Sequence, residues 1–258
     1  MVVKKEQLLH YIHRTTRFVE LDLLRGMAIL VMVFLHVLWD LDYFGFMPLD
    51  RDIYQFQVII PTLFFILMGI CLVITTNKKH GFSNKELRTH LLSRGLWIFG
   101  LGMIITIATL LFMPDRPIFF GVLHCIGFSI ILSIPLLRLK KYNIAIGFAI
   151  IIVGFVMGFY PVQDANLISL IIGIHPANIG HLTIDYFPLF PWFGASLIGV
   201  GLGNLLYKDG KRQFRFPDIS RYKPIALFSW LGKHSLTIYL IHQPIIAGIL
   251  GYIIPKFL

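Results

Sequence analysis

The residues of this chain best suited to proton chemistry are a histidine and an aspartate one helical turn apart. His36 follows an uninterrupted apolar stretch at residues 28–35, and Asp40 lies four positions later. On a helix this spacing puts both side chains on one face, about 6 Å apart along the axis. An imidazole there can act as a general base, and a nearby carboxylate can hold its tautomer and stabilise the imidazolium ion.

Two other apolar stretches carry polar residues of the same kind. His124 lies six residues past Ile118, about 9 Å along a helix, so we expect it at a depth similar to that of His36. The stretch LTIYLIHQP adds Tyr239, His242 and Gln243. A single histidine in such a setting is often a neutral ring bonded to a neighbouring helix. Three histidines in separate apolar stretches favour a polar cavity with a function.

A metal site is the less favoured interpretation of these residues. His36, Asp40 and His124 are all ligand types that zinc accepts. The chain has no metal-motif spacing such as HExxH. We therefore predict that no metal is bound.

The elements that position these residues are predicted to be membrane helices. Hydrophobic residues make up 57% of the 258 residues and charged residues only 14%, whereas soluble domains have about a quarter charged. Spanning segments must be helical, because lipid offers the backbone no hydrogen-bond partners. We predict an all-α, polytopic membrane helix bundle of about seven spans, at residues 23–39, 56–75, 92–112, 118–137, 144–160, 186–206 and 236–254. The apolar run at residues 167–174 is too short to cross, and a short apolar stretch at residues 225–230 precedes the seventh span.

The basic residues predict how the chain is oriented. They concentrate in the N-terminal segment and in alternate loops, at residues 76–90, 138–141 and 208–223. The N-terminus is therefore expected in the cytoplasm, with residues 1–20 as a cytoplasmic segment, and the C-terminus outside. The net charge of +10 is explained by this topology and by attraction to anionic membrane lipids, so no nucleic-acid partner is expected.

The expected cytoplasmic end of the bundle has its own charged cluster. Arg25 and Asp22 are i,i+3 neighbours that can pair, and Arg94 and Lys233 lie at the edges of other spans. On charge alone, anchoring of the helix ends is the favoured interpretation. The alternative is a basic mouth for a phosphorylated cytoplasmic ligand, because arginine matches phosphate oxygens.

Small residues on the sixth predicted span suggest close helix packing. Ala195, Gly199 and Gly203 recur at intervals of four residues. Cys71 and Cys125 both fall inside predicted spans, which favours packing thiols over a disulfide framework.

Four segments in the same order resemble a known family of membrane enzymes. The run RFVELDLLRGMAILVMVFLH resembles the start of the heparan-α-glucosaminide N-acetyltransferase catalytic family, within the wider transmembrane acyltransferases. PTLFFILMGICLVIT and FFGVLHCIGFSIIL are similar to two further helices of that family, and LGKHSLTIYLIHQPI to its last element. The resemblance covers most of the chain except residues 140–185.

The resemblance implies a single acyltransferase-like domain over residues 1–258, in the cell membrane, that transfers an acetyl or other acyl group. Acyl-CoA, with acetyl-CoA as the expected co-substrate, would dock at the cytoplasmic face against Arg25, Arg94 and Lys233. The acceptor would be a hydroxyl or amine of a sugar-like or glycan molecule on the outer side. His36 would be the general base, supported by Asp40 and His124, with Tyr239, His242 and Gln243 around the acceptor. An oligomer remains possible.

Several alternatives stay open at this point. The family resemblance also implies a catalytic histidine in the next outer loop, near Met47, but no histidine lies between Asp40 and Arg51. Either His36 has that role, as in the wider acyltransferases, or catalysis lies elsewhere. Transfer through an acyl-histidine is a further possibility. The rival function is a transporter or flippase of a small polar solute that uses the histidines as a proton relay, and a third is a membrane assembly protein without catalysis.

Overall fold

The computed structural model of the chain describes residues 17–48, 53, 56–78, 83–219 and 221–253. Within these ranges every regular element is a helix, and a single isolated β-bridge joins Phe120 and Tyr186. The predicted all-α fold class is therefore confirmed. Most of the predicted cytoplasmic segment at residues 1–20 lies outside the described residues.

The described chain contains ten α-helices, which we number in chain order. They are α1 (Val19–Tyr43), α2 (Phe56–Lys78), α3 (Asn84–Phe112), α4 (Val122–Leu136), α5 (Asn143–Gly158), α6 (Leu167–Ile172), α7 (Ile179–Leu182), α8 (Leu189–Leu206), α9 (Lys223–Lys233) and α10 (Ser235–Ile253). The run at residues 167–174, predicted to be too short to cross a membrane, contains only the six-residue helix α6.

Five helical segments of the described chain are long and apolar enough to cross a membrane. They are Val19–Tyr43, Val58–Asn77, Asn84–Phe112, Val122–Gly158 and Leu189–Leu206, and Ser235–Leu250 is a shorter apolar helix. The chain is therefore an integral membrane protein. The number of seven spans and the orientation of the termini stay predictions.

The fourth of these segments contains two of the predicted spans. Residues 118–137 and 144–160 were predicted as separate helices, and the structure has α4 and α5 there. The 3₁₀ turn Leu137–Tyr142 joins them, and Lys140 within it has a positive φ of 47°. This backbone break at Lys140 explains why one continuous 37-residue stretch contains two α-helices.

The start of α3 is stabilised by the residues immediately before and inside it. The Ser83 hydroxyl accepts a hydrogen bond from the backbone N–H of Glu86 at 3.2 Å. The Glu86 carboxylate accepts from the backbone N–H of Ser83 at 2.8 Å. This capping box satisfies two donors that have no partner inside the helix and fixes where α3 begins.

The described chain folds into two compact units. Unit 1 is built from the described parts of Met1–Phe64 and Phe216–Leu258. It contains the whole of α1, α9 and α10, together with the first turns of α2. Its core is a cluster of four buried apolar residues on α1 and α2, against which residues of α9 and α10 pack: Ala28, Ile29, Met32 and Ile60, with Leu231, Ile238 and Tyr239 around them.

Two glycines bring α1 and α9 of unit 1 into backbone contact. A Cβ atom on Gly26 would collide with the backbone oxygen of Phe228, and a Cβ on Gly232 would collide with that of Asp22. Glycine is therefore required on both sides of this crossing. This contact fixes which part of α9 lies beside the first turns of α1: Phe228 lies beside Gly26, and Gly232 beside Asp22.

Unit 2 comprises Phe65–Arg215 and contains the rest of α2 and helices α3 to α8. Glycines also set its closest helix contacts. Gly147 on α5 faces Gly194 on α8, and Gly95 on α3 faces Gly127 on α4. In each pair, a Cβ on either residue would lie 2.5–2.8 Å from the backbone oxygen of the other.

The row of small residues on α8 packs as the sequence predicts. A Cβ on Gly199 would collide with the backbone oxygen of Ile66 on α2, and one on Gly203 would lie 3.0 Å from Val73 Cβ. Ala195 is buried in the main core cluster of unit 2. The predicted close packing at this face is thus confirmed, because small side chains let the two backbones approach.

Candidate functional site

Helices α1 and α10 bring two predicted site histidines together in unit 1. The ring centroids of His36 and His242 are 4.8 Å apart, and the rings meet edge to face at 86°. His242 is buried and His36 half-buried. Tyr239, one turn before His242 on α10, places its ring 5.6 Å from the His242 ring. The structure thus joins three side chains that the sequence assigned to one cavity.

Backbone carbonyls fix the tautomers of both histidines. His36 Nδ1 lies 3.0 Å from the carbonyl oxygen of Met32, and His242 Nδ1 lies 2.6 Å from that of Tyr239. A carbonyl oxygen only accepts hydrogen bonds, so Nδ1 carries the proton in each ring. In the neutral form each ring then presents Nε2 as a bare proton acceptor, as a general base requires.

Asp40 makes its hydrogen bonds to Gln243. The Gln243 side-chain amide donates to both Asp40 carboxylate oxygens, at 2.9 and 3.1 Å. Asp40 is 5% exposed and interacts with the His36 ring through its charge. The sequence assigned Asp40 to hold the His36 tautomer, whereas in the structure the Met32 carbonyl does so. Asp40 and Gln243 instead tie α1 to α10.

His124 lies in unit 2, where both of its ring nitrogens have partners. Nδ1 accepts a hydrogen bond from the backbone N–H of Gly121 at 3.2 Å. The Thr106 hydroxyl donates to the Ile118 carbonyl at 2.6 Å. Its oxygen lies 3.3 Å from His124 Nε2, which therefore donates to it.

This arrangement leaves His124 without a free nitrogen for substrate. The ring is 1% exposed and packs between Phe99 and Phe120, with centroids 5.2 and 5.7 Å away. The hydrogen bonds join α3, the following loop and the first turn of α4. We interpret His124 as a structural residue of unit 2, which differs from the acceptor-orienting or oxyanion-binding role predicted from the sequence.

The basic residues predicted at the cytoplasmic end are divided between the two units. In unit 1, Arg25 Nη1 lies 3.9 Å from the Asp22 carboxylate, and the arginine side chain is 25% exposed. Lys233 is exposed in the last turn of α9, next to the glycine crossing with α1. Arg94 is half-buried on α3 in unit 2. Arg25 and Lys233 are therefore the pair that shares one unit.

Among the described residues, no group of three or more His, Cys, Asp or Glu side chains is placed to hold a metal ion. His36 and Asp40 lie together in unit 1, and the third zinc-ligand candidate, His124, uses its nitrogens for Gly121 and Thr106. The expectation of a metal-free site stays a prediction.

Sequence reasoning missed the groups that hold the site residues in place. The Met32 carbonyl has no sequence signal, because every helical residue offers a carbonyl to the side chain four positions later. Thr106 carried a usable signal, since a hydroxyl in an apolar helix needs a partner. Gly26 and Gly232 are visible in the sequence as glycines near the start of the first and the last predicted span, but their pairing depends on the fold.

Comparison with known proteins identifies the family of the chain. The family model described as "Heparan-alpha-glucosaminide N-acetyltransferase, catalytic" matches residues 17–244, most of the chain. No curated protein and no solved structure gives a significant match. The match includes α1 and the His36, Asp40, His242 and Gln243 cluster. The chain therefore belongs to the heparan-alpha-glucosaminide N-acetyltransferase catalytic family, a family of membrane acetyltransferases.

Proposed function

We propose that this protein transfers an acyl group, most simply acetyl, from cytoplasmic acyl-CoA to a hydroxyl or amine of a sugar-like acceptor on the outer side of the cell membrane. The family match over residues 17–244 is the observation that carries this proposal. It favours acyl transfer over the transporter alternative. One acyltransferase-like domain over residues 1–258 would perform the reaction.

His36 is the proposed general base. Its Nδ1–H is held by the Met32 carbonyl, so Nε2 is free to take the proton of the acceptor O–H or N–H. As that proton leaves, the acceptor attacks the thioester carbonyl and the C–S bond breaks. The proton then passes from His36 to the CoA thiolate, which regenerates the neutral ring and releases CoA as the thiol.

Arg25 and Lys233 are the proposed contacts for the phosphates of acyl-CoA. Both lie in unit 1 at the end of the helices where the sequence places the cytoplasm. Guanidinium groups bind phosphate oxygens through paired hydrogen bonds. Arg94, in unit 2, is an independent candidate for the same role. Tyr239, His242 and Gln243 are proposed to line the acceptor pocket.

The experiment that tests this function follows CoA release and product formation together. The protein in nanodiscs is mixed with acetyl-CoA and a panel of amino sugars and neutral glycans. We expect acceptor-dependent thiol release, an acetylated product, and a rise in melting temperature with acetyl-CoA alone. Solute uptake into proteoliposomes without thiol release or acetyl-CoA stabilisation would instead support the transporter alternative.

The proposed topology has seven spans, a cytoplasmic N-terminus and an outer C-terminus. We expect single cysteines at positions 83 and 214 to react with impermeant maleimide only after the cells are opened, because their two loops hold ten of the 23 lysine and arginine residues of the chain. A cysteine at position 48 should react in intact cells.

The labelling background replaces Cys71 and Cys125 by alanine, since both are free thiols. Labelling of position 83 or 214 from outside, or protection of position 48, would contradict the proposed orientation.

A further inference from the structure

Two polar atoms on adjacent residues of α10 are buried and lack a hydrogen-bond partner. They are His242 Nε2 and Gln243 Oε1. His242 as a whole is only 7% exposed. Buried polar atoms in folded proteins are nearly always paired with protein, ordered water or a ligand, so two unpaired atoms on neighbouring residues mark a place where a polar ligand can bind.

The bonds that these two residues do make determine what kind of ligand fits. His242 Nδ1–H donates to the Tyr239 carbonyl, so Nε2 of the neutral ring can only accept. The Gln243 NH₂ group faces Asp40 and donates to its two oxygens, and the unpaired Oε1 is a carbonyl oxygen that can only accept. His36 also offers a ligand only an acceptor, because its Nδ1–H donates to the Met32 carbonyl and Nε2 of the neutral ring carries no proton.

Asp40 is the reason that Gln243 presents its oxygen. The orientation of an amide is set by its hydrogen-bond network. A carboxylate accepts from N–H and repels a carbonyl oxygen, so it holds the NH₂ of Gln243 toward α1 and turns Oε1 away from itself. Asp40 is 5% exposed, and this desolvation strengthens its preference.

We infer that His242 and Gln243 form an acceptor-only recognition point for a ligand with at least two O–H or N–H donors, and that Asp40 is the positioning residue that aims Gln243. The thioester carbonyl and the ionised phosphates of the acyl donor do not suit this recognition point, because they offer no donors. The Asp40 carboxylate also repels anionic groups at this place.

The identification of this ligand as the acceptor of acyl transfer rests on the proposed function. In that case His242 and Gln243 determine which acceptor is taken. They fix two donors of the acceptor while a third donor loses its proton to His36. The need for donors does not itself depend on catalysis and can be tested by binding.

The binding test uses probes with and without hydrogen-bond donors. Methyl glycosides of glucose, galactose and mannose are compared with their fully methylated counterparts, which keep the ring but lose every O–H donor. The protein is the full chain in nanodiscs without acetyl-CoA, and the readouts are melting temperature and dissociation constant. We expect at least one free glycoside to bind and its methylated counterpart not to bind. Equal binding of both forms, or no binding of any free glycoside, overturns the inference.

Variants locate the binding at the inferred residues. Gln243→Leu removes the oxygen with little change in size, and we expect about tenfold weaker binding of the glycoside that binds the parent. The matched control is Gln213→Leu, which removes an exposed amide elsewhere and should bind like the parent. Unchanged binding in a folded Gln243→Leu variant overturns the inference.

A double-mutant cycle tests the positioning role of Asp40. Asp40→Asn should weaken glycoside binding in the parent and have no further effect in the Gln243→Leu background, because the residue acts through Gln243. Equal weakening in both backgrounds would refute the positioning role.

Turnover measurements separate this inference from the proposed function. If acyl transfer occurs, Gln243→Leu should raise the KM for the acceptor and leave the KM for acetyl-CoA unchanged. Glycoside binding that needs Gln243, without any acyl transfer, would refute the proposed function and keep the recognition point. Acyl transfer with an acceptor KM that does not respond to Gln243→Leu would refute the recognition point and keep the function.

Discussion

Replacing His36 by alanine is expected to reduce acyl transfer by about 10²–10⁴-fold, the range that general-base catalysis typically contributes. The imidazole has its Nδ1 proton committed to the Met32 carbonyl, so its Nε2 is the atom that takes the acceptor proton. Acetyl-CoA affinity should remain close to that of the parent, because the base does not contact the phosphates. The measurement is acetyl-CoA turnover with a working acceptor, alongside the melting temperature.

The matched control for this variant is His234→Ala. His234 makes the same type of bond, from Nδ1 to the carbonyl four residues earlier, at 2.8 Å, but it is exposed at the end of α9. Its loss should leave turnover unchanged. Since alanine also removes the ring contact with His242, His36→Gln serves as a second variant that retains a polar side chain but cannot accept the proton.

Two results would contradict the role of His36 as general base and indicate a structural role. One is turnover near the parental rate in either variant. The other is a loss of stability that accounts for the whole loss of activity in both. Asp40→Asn should cost less activity than His36→Ala, because the Met32 carbonyl still holds the ring and the base itself remains.

Replacing Arg25 by alanine is expected to weaken acetyl-CoA binding by about 10- to 150-fold, equivalent to about 1.5–3 kcal/mol for a hydrogen bond to a charged group. Arg25→Lys should restore only part of the affinity, because an ammonium group provides a point charge instead of a planar fork. The measurement is the acetyl-CoA dissociation constant of the purified variants.

The control for this variant is Arg221→Ala. Arg221 also pairs with an aspartate three residues earlier, Asp218, at 3.9 Å, and it is 88% exposed. Both arginines lie in unit 1, so the control removes a similar charge and a similar ion pair. If Arg25→Ala folds and binds acetyl-CoA like the parent, Arg25 is only an anchor of the helix end.

The sequence predicted the positions of the helices well because membrane helices carry a strong local signal. Uninterrupted apolar runs need no tertiary information, since lipid requires each spanning segment to satisfy its own backbone. The start of α3 was less visible. Its helix begins at Asn84, eight residues before the predicted span at residues 92–112, because the Ser83 and Glu86 capping box extends it into the polar region.

For the candidate site, the sequence by itself determined the residue types and their helix faces. The spacing of His36 and Asp40, and the sequence of α10 with Tyr239, His242 and Gln243, follow from the 3.6-residue period and from the cost of polar groups in an apolar helix. The family, too, was recognisable from four short segments, and the match over residues 17–244 confirms it.

Only the tertiary structure decided which of these polar groups are partners. Asp40 bonds to Gln243, 203 positions along the chain, instead of the histidine one turn away. His124 resembles His36 in sequence context, yet Gly121 and Thr106 use both of its nitrogens, whereas Nε2 of His36 stays available. The physical reason is that a hydrogen bond depends on distance and direction between helices, which packing at contacts such as the crossing of Gly26 and Gly232 sets and local sequence does not contain.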